Sequence, residues 1–343
     1  MSLARAITTG DLAELPSRRD EDWRWSDIAG LVRELPPRSK TFKGELAPGV
    51  FDALAEEVVP VVNGEVRAGI AIGSGGEHVV AVRFIAAEGA GAHTATPKLH
   101  VEKGRVVLLE TYEGQGPYVS EIDFRLDVEA EGEIERIVLA DESADAVSVA
   151  HCDVRLAPGA KFSQTVVTVG GCRQRLETRV QNPGGGASAR LDGIYLLADK
   201  RHADITTVVD HLGLGGSTDQ LVKGRVDDQA RAVFQGRIVV AEGADKTDAR
   251  MGHHALLLSD RAEVDAKPEL EIYADDVACA HGNTVGALDE EALFYAQQRG
   301  IPEAEARAML TEAFIGEVVD RIGHEGAREV VRSWIAARLG GTR

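Results

Sequence analysis

Residues 275–301 read DDVACAHGNTVGALDEEALFYAQQRGI, and the periodicity of the chain changes inside this stretch. Up to Leu288 it is extended and flanked by glycine. From Asp289 it follows helical spacing, with Asp289 as N-cap, Gly300 as the stop and Pro302 opening the next helix. Side chains at i and i+2 of a strand share a face, so Cys279 and His281 project together. A thiol and an imidazole can bind a soft metal or handle sulfur, but two groups on one strand make only half of a tetrahedral site. Residue types alone favour a plainer account, a buried thiol and a hydrogen-bonded imidazole in the wall of the fold.

Toward the N-terminus, from Val119 to Leu288, short β-type runs recur between small or polar turns, among them VSVAHCDVRL, ADITTVVDHL, AVFQGRIVV and AEVDAKPELEI. Gly193, Gly224, Gly236, Gly252 and Gly282 mark similar positions in several of them. Such spacing suits a sandwich, a barrel or a β-solenoid, and the low aromatic content of 5% favours stacked coils with a thin interior. Between Phe51 and Glu113 shorter apolar runs broken by glycine, including GIAIG at residues 69–73, read as an irregular or mixed β region. The first 35 residues read as helical: Ser17 with Asp20 opens a helix, and Trp23, Ile28, Leu31 and Val32 form a stripe that ends at Pro36-Pro37. After Leu288 the chain is helical, with Met309, Leu310, Ala313, Phe314, Val318 and Ile322 at helical spacing. That tail is expected to cap the solenoid end or to dock on a partner.

Composition narrows the function. The net charge of −18 argues against nucleic acid or an anionic membrane as partner. Three widely spaced cysteines without a C-x-x-C do not make a secreted disulfide framework, and the N-terminus holds no secretory apolar segment, so a cytoplasmic protein is expected. GADKTD, Gly243–Asp248, lacks the glycines of a P-loop, and no HExxH or GxSxG occurs; ATP hydrolysis and zinc-protease or serine-hydrolase chemistry are not expected. A carbohydrate- or acyl-processing solenoid would need an aromatic groove or strict six-residue repeats, and neither is present. Adjacent His253 and His254 point to opposite faces of a strand and cannot share one site. Cys152 and Cys172 read as ordinary buried thiols. Glu269, which alternates with Glu271, reads as an edge-protecting carboxylate or as an accessory oxygen ligand near the Cys/His strand.

The run from Leu256 to Leu288, with SDRAEVDAKPELEIYADDV, CAHG and TVG, continued by LDEEALFY and QRGI, resembles the SufB/SufD family of iron–sulfur cluster assembly proteins, in its SufD branch. LPSRRDEDWRWSDI, Leu15–Ile28, is similar to the entry of SufD proteins, whereas the segment from Pro36 to Gly132 matches loosely. The resemblance implies a mainly β chain with a right-handed β-helix core, an N-terminal helical region and a C-terminal helical domain. The corresponding division is 1–50 helical, 51–118 irregular β, 119–288 β-helix and 289–343 helical and ATPase-binding. It further implies a scaffold subunit without catalysis of its own, paired with a SufB-like paralogue and a SufC-like ABC ATPase. Cys279 and His281 would be transient cluster-assembly ligands shared with the partner, to which Glu269, read from its chemistry alone, is an optional addition. Phe294, Met309, Leu310, Phe314 and Val318 would bind the ATPase. No cofactor is expected to rest on the isolated chain, which could form a homodimer. A flavin is associated with such complexes, but no flavin motif is legible here. The competing reading is a structural adaptor between the ATPase and the true scaffold, with Cys279 and His281 purely structural.

Overall fold

The computed structural model describes residues 2–66 and 75–339, so the expected GIAIG strand lies outside the described residues. Two sheets face each other and the chain alternates between them. One is β1 (Glu57–Val62), β2 (Glu65–Val66), β3 (Glu77–Ala86), β6 (Gly104–Gly114), β8 (Gly132–Asp141), β10 (Lys161–Thr168), β12 (Ser188–Leu197), β14 (Ser217–Val226), β16 (Asp248–Leu257) and β18 (Ala278–Gly286). The other is β4 (Ala92–Ala95), β5 (Lys98–Val101), β7 (Val119–Val128), β9 (Val147–Leu156), β11 (Arg173–Asn182), β13 (His202–His211), β15 (Arg231–Val240) and β17 (Glu263–Ile272). Strands stack in parallel register, apart from the antiparallel β1–β2 pair, and make a β-solenoid of about eight turns. The ladder is already regular from Glu57, well before the Val119 boundary read from the sequence; short glycine-broken runs suffice because each strand needs only its two neighbours.

Register fixes what each column of side chains faces. Val209, Ile238 and Leu270 stand one above another, as do Ala249 and Cys279, and Met251 and His281. The inward members of these columns form one apolar interior between the sheets. Charge is admitted there only as a satisfied group: Arg136 donates to both oxygens of Glu110 at 2.8 and 2.7 Å and to Gln164 at 2.9 Å. Asp199 and Asp228 turn the same corner of successive coils with φ of 59° and 54°, a conformation aspartate tolerates better than most residues.

The two outer faces are covered differently. The C-terminal helices α2 (Glu290–Gln298), α3 (Glu303–Val319) and α4 (Glu325–Leu339) do not cap the solenoid end. Instead α3 and α4 lie across the ten-stranded sheet, burying Ile315, Val318, Ile322, Val331 and Ile335 against outward residues such as Val107, Ile137 and Ile194. Lys223 fastens this dock through the Phe314 carbonyl at 3.0 Å and Glu317 at 2.5 Å, and Arg321 pairs with Asp192 and Asp219. On the eight-stranded sheet lies an N-terminal strap in which α1 is only Leu3–Thr9, followed by two short 3-10 turns. The long helical stripe expected through Trp23 and Val32 does not form. The backbone of Ile28 and Ala29 donates to the Pro16 carbonyl instead, and Trp23 lies 4.5 Å from the guanidinium of Arg175. Buried ionic groups on the sheet thus replace helical hydrogen bonds as the strap's partners. Among the described residues no helix is long and apolar enough to cross a membrane.

Candidate functional site

The last coil differs from those before it because, among the described residues, no strand stacks on its outer side. β17 and β18 each end their sheet, so their outer backbone edges are unpaired and their inward faces open at the solenoid mouth. β18 is exposed along nearly its whole length, although its register partners Ala249, Met251 and His253 are buried. The inward alternation of β16 continues on β18.

Cys279 and His281 share the inward face of β18, as their i, i+2 spacing requires. Cys279 is half-buried against the interior cluster, and that burial pushes its thiol up, so a metal would have to displace its proton. His281 is exposed. Glu269 does not join them: it lies opposite Arg237 in the register of the other sheet, on its outer face, and pairs with Lys267 at 3.1 Å. The odd–even alternation that sets Glu269 beside Glu271 also turns both away from the interior, where Leu270 points. Among the described residues, no three His, Cys, Asp or Glu side chains gather as a metal-binding group.

His253 and His254 point apart, as expected. His254 meets Thr284 on the outer side at 2.7 Å. His253 is buried and bonds Tyr195 at 2.8 Å and Asn283 at 2.7 Å. Burial holds its ring near a pKa of about 4, hence neutral. This inner row escapes a reading by sequence, because Tyr195 and Asn283 are far apart in the chain and meet only through register. The glycine at position 224 was the one available signal: a Cβ there would collide with the Tyr195 ring. Cys152 is buried in the interior and Cys172 is half-buried; neither lies in the last coil.

The helical residues divide. Phe294 is 63% and Met309 50% exposed, and Tyr295 beside them is also exposed. Val318 is buried against the sheet, Phe314 is half-buried with Lys223 over its ring at 4.7 Å, and Leu310 is half-buried. Val318 therefore has no free surface to offer a partner. Spacing identifies an apolar helix, but not which of its sides meets the sheet.

The family model described as "SUF system FeS cluster assembly, SufBD core domain" matches residues 84–314. The chain is 38% identical over 221 residues to the iron–sulfur cluster assembly protein SufD of Escherichia coli, a match covering 64% of this chain and only about half, 52%, of that relative. It is 33% identical over 136 residues to SufD of Bacillus subtilis, covering 40% and 31% of the two chains. An iron–sulfur cluster assembly SufBD family protein of Mycobacterium bovis is 28% identical over 366 aligned positions, covering 96% of this chain and 90% of that one. The chain belongs to the SufB/SufD family of iron–sulfur cluster assembly proteins, and its likeness to the two SufD relatives sets it on the SufD branch.

Proposed function

We propose that this chain is the SufD-like subunit of a cluster assembly scaffold, pairing through its open last coil with a SufB-like paralogue. The observation that carries this reading is the contrast within one register. Among the described residues, the strands from β3 to β16 in one sheet and from β7 to β15 in the other have neighbours on both sides, whereas β17 and β18 present two unpaired parallel edges and an uncovered inward face bearing Cys279 and His281. Strand addition to those edges would place a partner's ligands beside the pair and complete the coordination that this chain supplies by half. Iron and sulfide are the cargo. Cys279 contributes a thiolate once its proton is displaced, and His281 contributes an imidazole nitrogen. The exposed apolar side chains Phe294 and Tyr295 of α2 and Met309 of α3 are where an ABC-type ATPase docks. Because α3 and α4 are clamped to the ten-stranded sheet, movement of the docked ATPase would be transmitted to the solenoid.

The adaptor reading also has one observation in its favour, the packing of Cys279 against the interior. Iron and acid-labile sulfide measured on the complex co-expressed with both partners separate the two. With His281→Ala the complex is expected to assemble and lose its cluster. An intact complex with wild-type cluster content would make the pair structural and the chain an adaptor.

A further inference from the structure

We propose that Asn283 is a third polar group of the open edge, donating a hydrogen bond to the sulfur-containing cargo held at Cys279 and His281, and that buried His253 and Tyr195 are positioning residues that set its amide. The inference rests on the scaffold reading above and extends it to residues outside the Cys-x-His pair.

Asn283 lies two residues beyond His281 on β18, so the two share the inward face about 7 Å apart along the strand. It is exposed at the mouth, yet its side chain is tied inward: its Oδ1 meets His253 Nδ1 at 2.7 Å. An amide oxygen only accepts, so Nδ1 carries the proton and Nε2 must accept from the Tyr195 hydroxyl at 2.8 Å. Both ring nitrogens are thereby satisfied and one tautomer is selected. Phe234, from the opposite sheet, stacks on the ring at 4.7 Å and 4°, which also fixes its plane.

Tyr195 reaches His253 from two strands away because Gly224, lying between them, leaves room for its ring. The result is an exposed amide with a buried orienting row behind it. With its oxygen directed to His253, the same amide presents its N–H2 end to the mouth. Amide N–H groups beside sulfur ligands stabilise negative charge on the sulfur and slow metal loss.

The test uses the complex co-expressed with its partners and loaded anaerobically with ferrous iron and sulfide. Iron release to a chelator and the visible absorption of the cluster are followed. Asn283→Asp keeps an oxygen for His253 and removes the N–H donors; release is expected to be about tenfold faster. His253→Gln is expected to shift release in the same direction, and Tyr195→Phe less, while Cys279 and His281 stay in place. Imidazole nitrogen NMR of the isolated chain gives a second readout, independent of cluster and partners. It is expected to show His253 protonated at Nδ1, and protonation at Nε2 would overturn the orienting role. If His281→Ala abolishes the cluster but both Asn283→Asp and His253→Gln release iron at the wild-type rate, the role of Asn283 fails and the scaffold reading stands. If His281→Ala has no effect either, the scaffold reading fails and the inference falls with it.

Discussion

β15 and β17 are consecutive layers of one sheet with the same inward alternation, yet Ile238 and Val240 in β15 are fully buried while their register partners in β17, Leu270 and Ile272, are half-buried and 42% exposed. The difference comes from position, since β17 has a layer on one side only. Apolar residues that would be ordinary core one coil earlier thus become a surface awaiting cover. On β18 the same open position falls to Cys279, His281 and Asn283, whose register partners one coil earlier, Ala249, Met251 and His253, are buried.

Three experiments break or sharpen that contrast. The largest effect is expected at the deepest charge. Arg136→Ala leaves Glu110 buried without its bidentate partner and should cost about 3–5 kcal/mol in urea unfolding. Lys267→Ala, on the last coil, removes bridges to the half-exposed Glu269 and the exposed Glu21 and should cost under about 1 kcal/mol. Similar losses at the two positions would mean that the last coil is as tightly built as the interior.

Next comes the apolar pair. Ile238→Ala should lower stability by about 3 kcal/mol through a cavity that the neighbouring layers cannot close. Ile272→Ala should change the isolated chain by no more than about 0.5 kcal/mol, while weakening assembly with the SufB-like partner. A large loss at Ile272 in the isolated chain would indicate that self-association already covers the mouth.

The smallest effect is a pH dependence. His253 is held neutral in the fold, with a pKa of about 4 against an ordinary value near 6.5. Between those values the unfolded chain binds a proton that the fold refuses. The contribution is therefore complete above about pH 6.5 and lost as the pH falls, by about 1–3 kcal/mol at pH 4. Melting curves of wild type and His253→Gln should converge as the solution is acidified. Parallel curves would show that the ring is not a buried neutral group.

Much of this was legible in the sequence, for reasons that also explain the failures. Strand alternation is local, so the shared face of Cys279 and His281 and the opposed faces of His253 and His254 could be read directly. Stacked runs with small residues pointed to a solenoid for the same reason. Glu269 misled because proximity in sequence to the Cys/His strand says nothing about which sheet a residue joins or which way it faces. Phe314 and Val318 misled because amphipathic spacing does not name the surface that a helix covers. Trp23 and Val32 looked helical because the buried ionic pair that recruits the strap, Arg175 with Asp204, to which Ser26 of the strap donates a hydrogen bond, is formed by residues far along the chain. The row Tyr195–His253–Asn283 depends on register across three strands, which no local pattern encodes.

The mouth also sets how many molecules can join. Among the described residues, the opposite ends of the two sheets are the short strands β2, β4 and β5, of two to four residues, whereas β17 and β18 at the mouth have ten and nine. Two long edges joined at the mouth leave only short strands at the far ends, which are poor templates for a fibre. Whatever binds there, a paralogue or a second copy, ends growth at two unless it brings another open edge of its own.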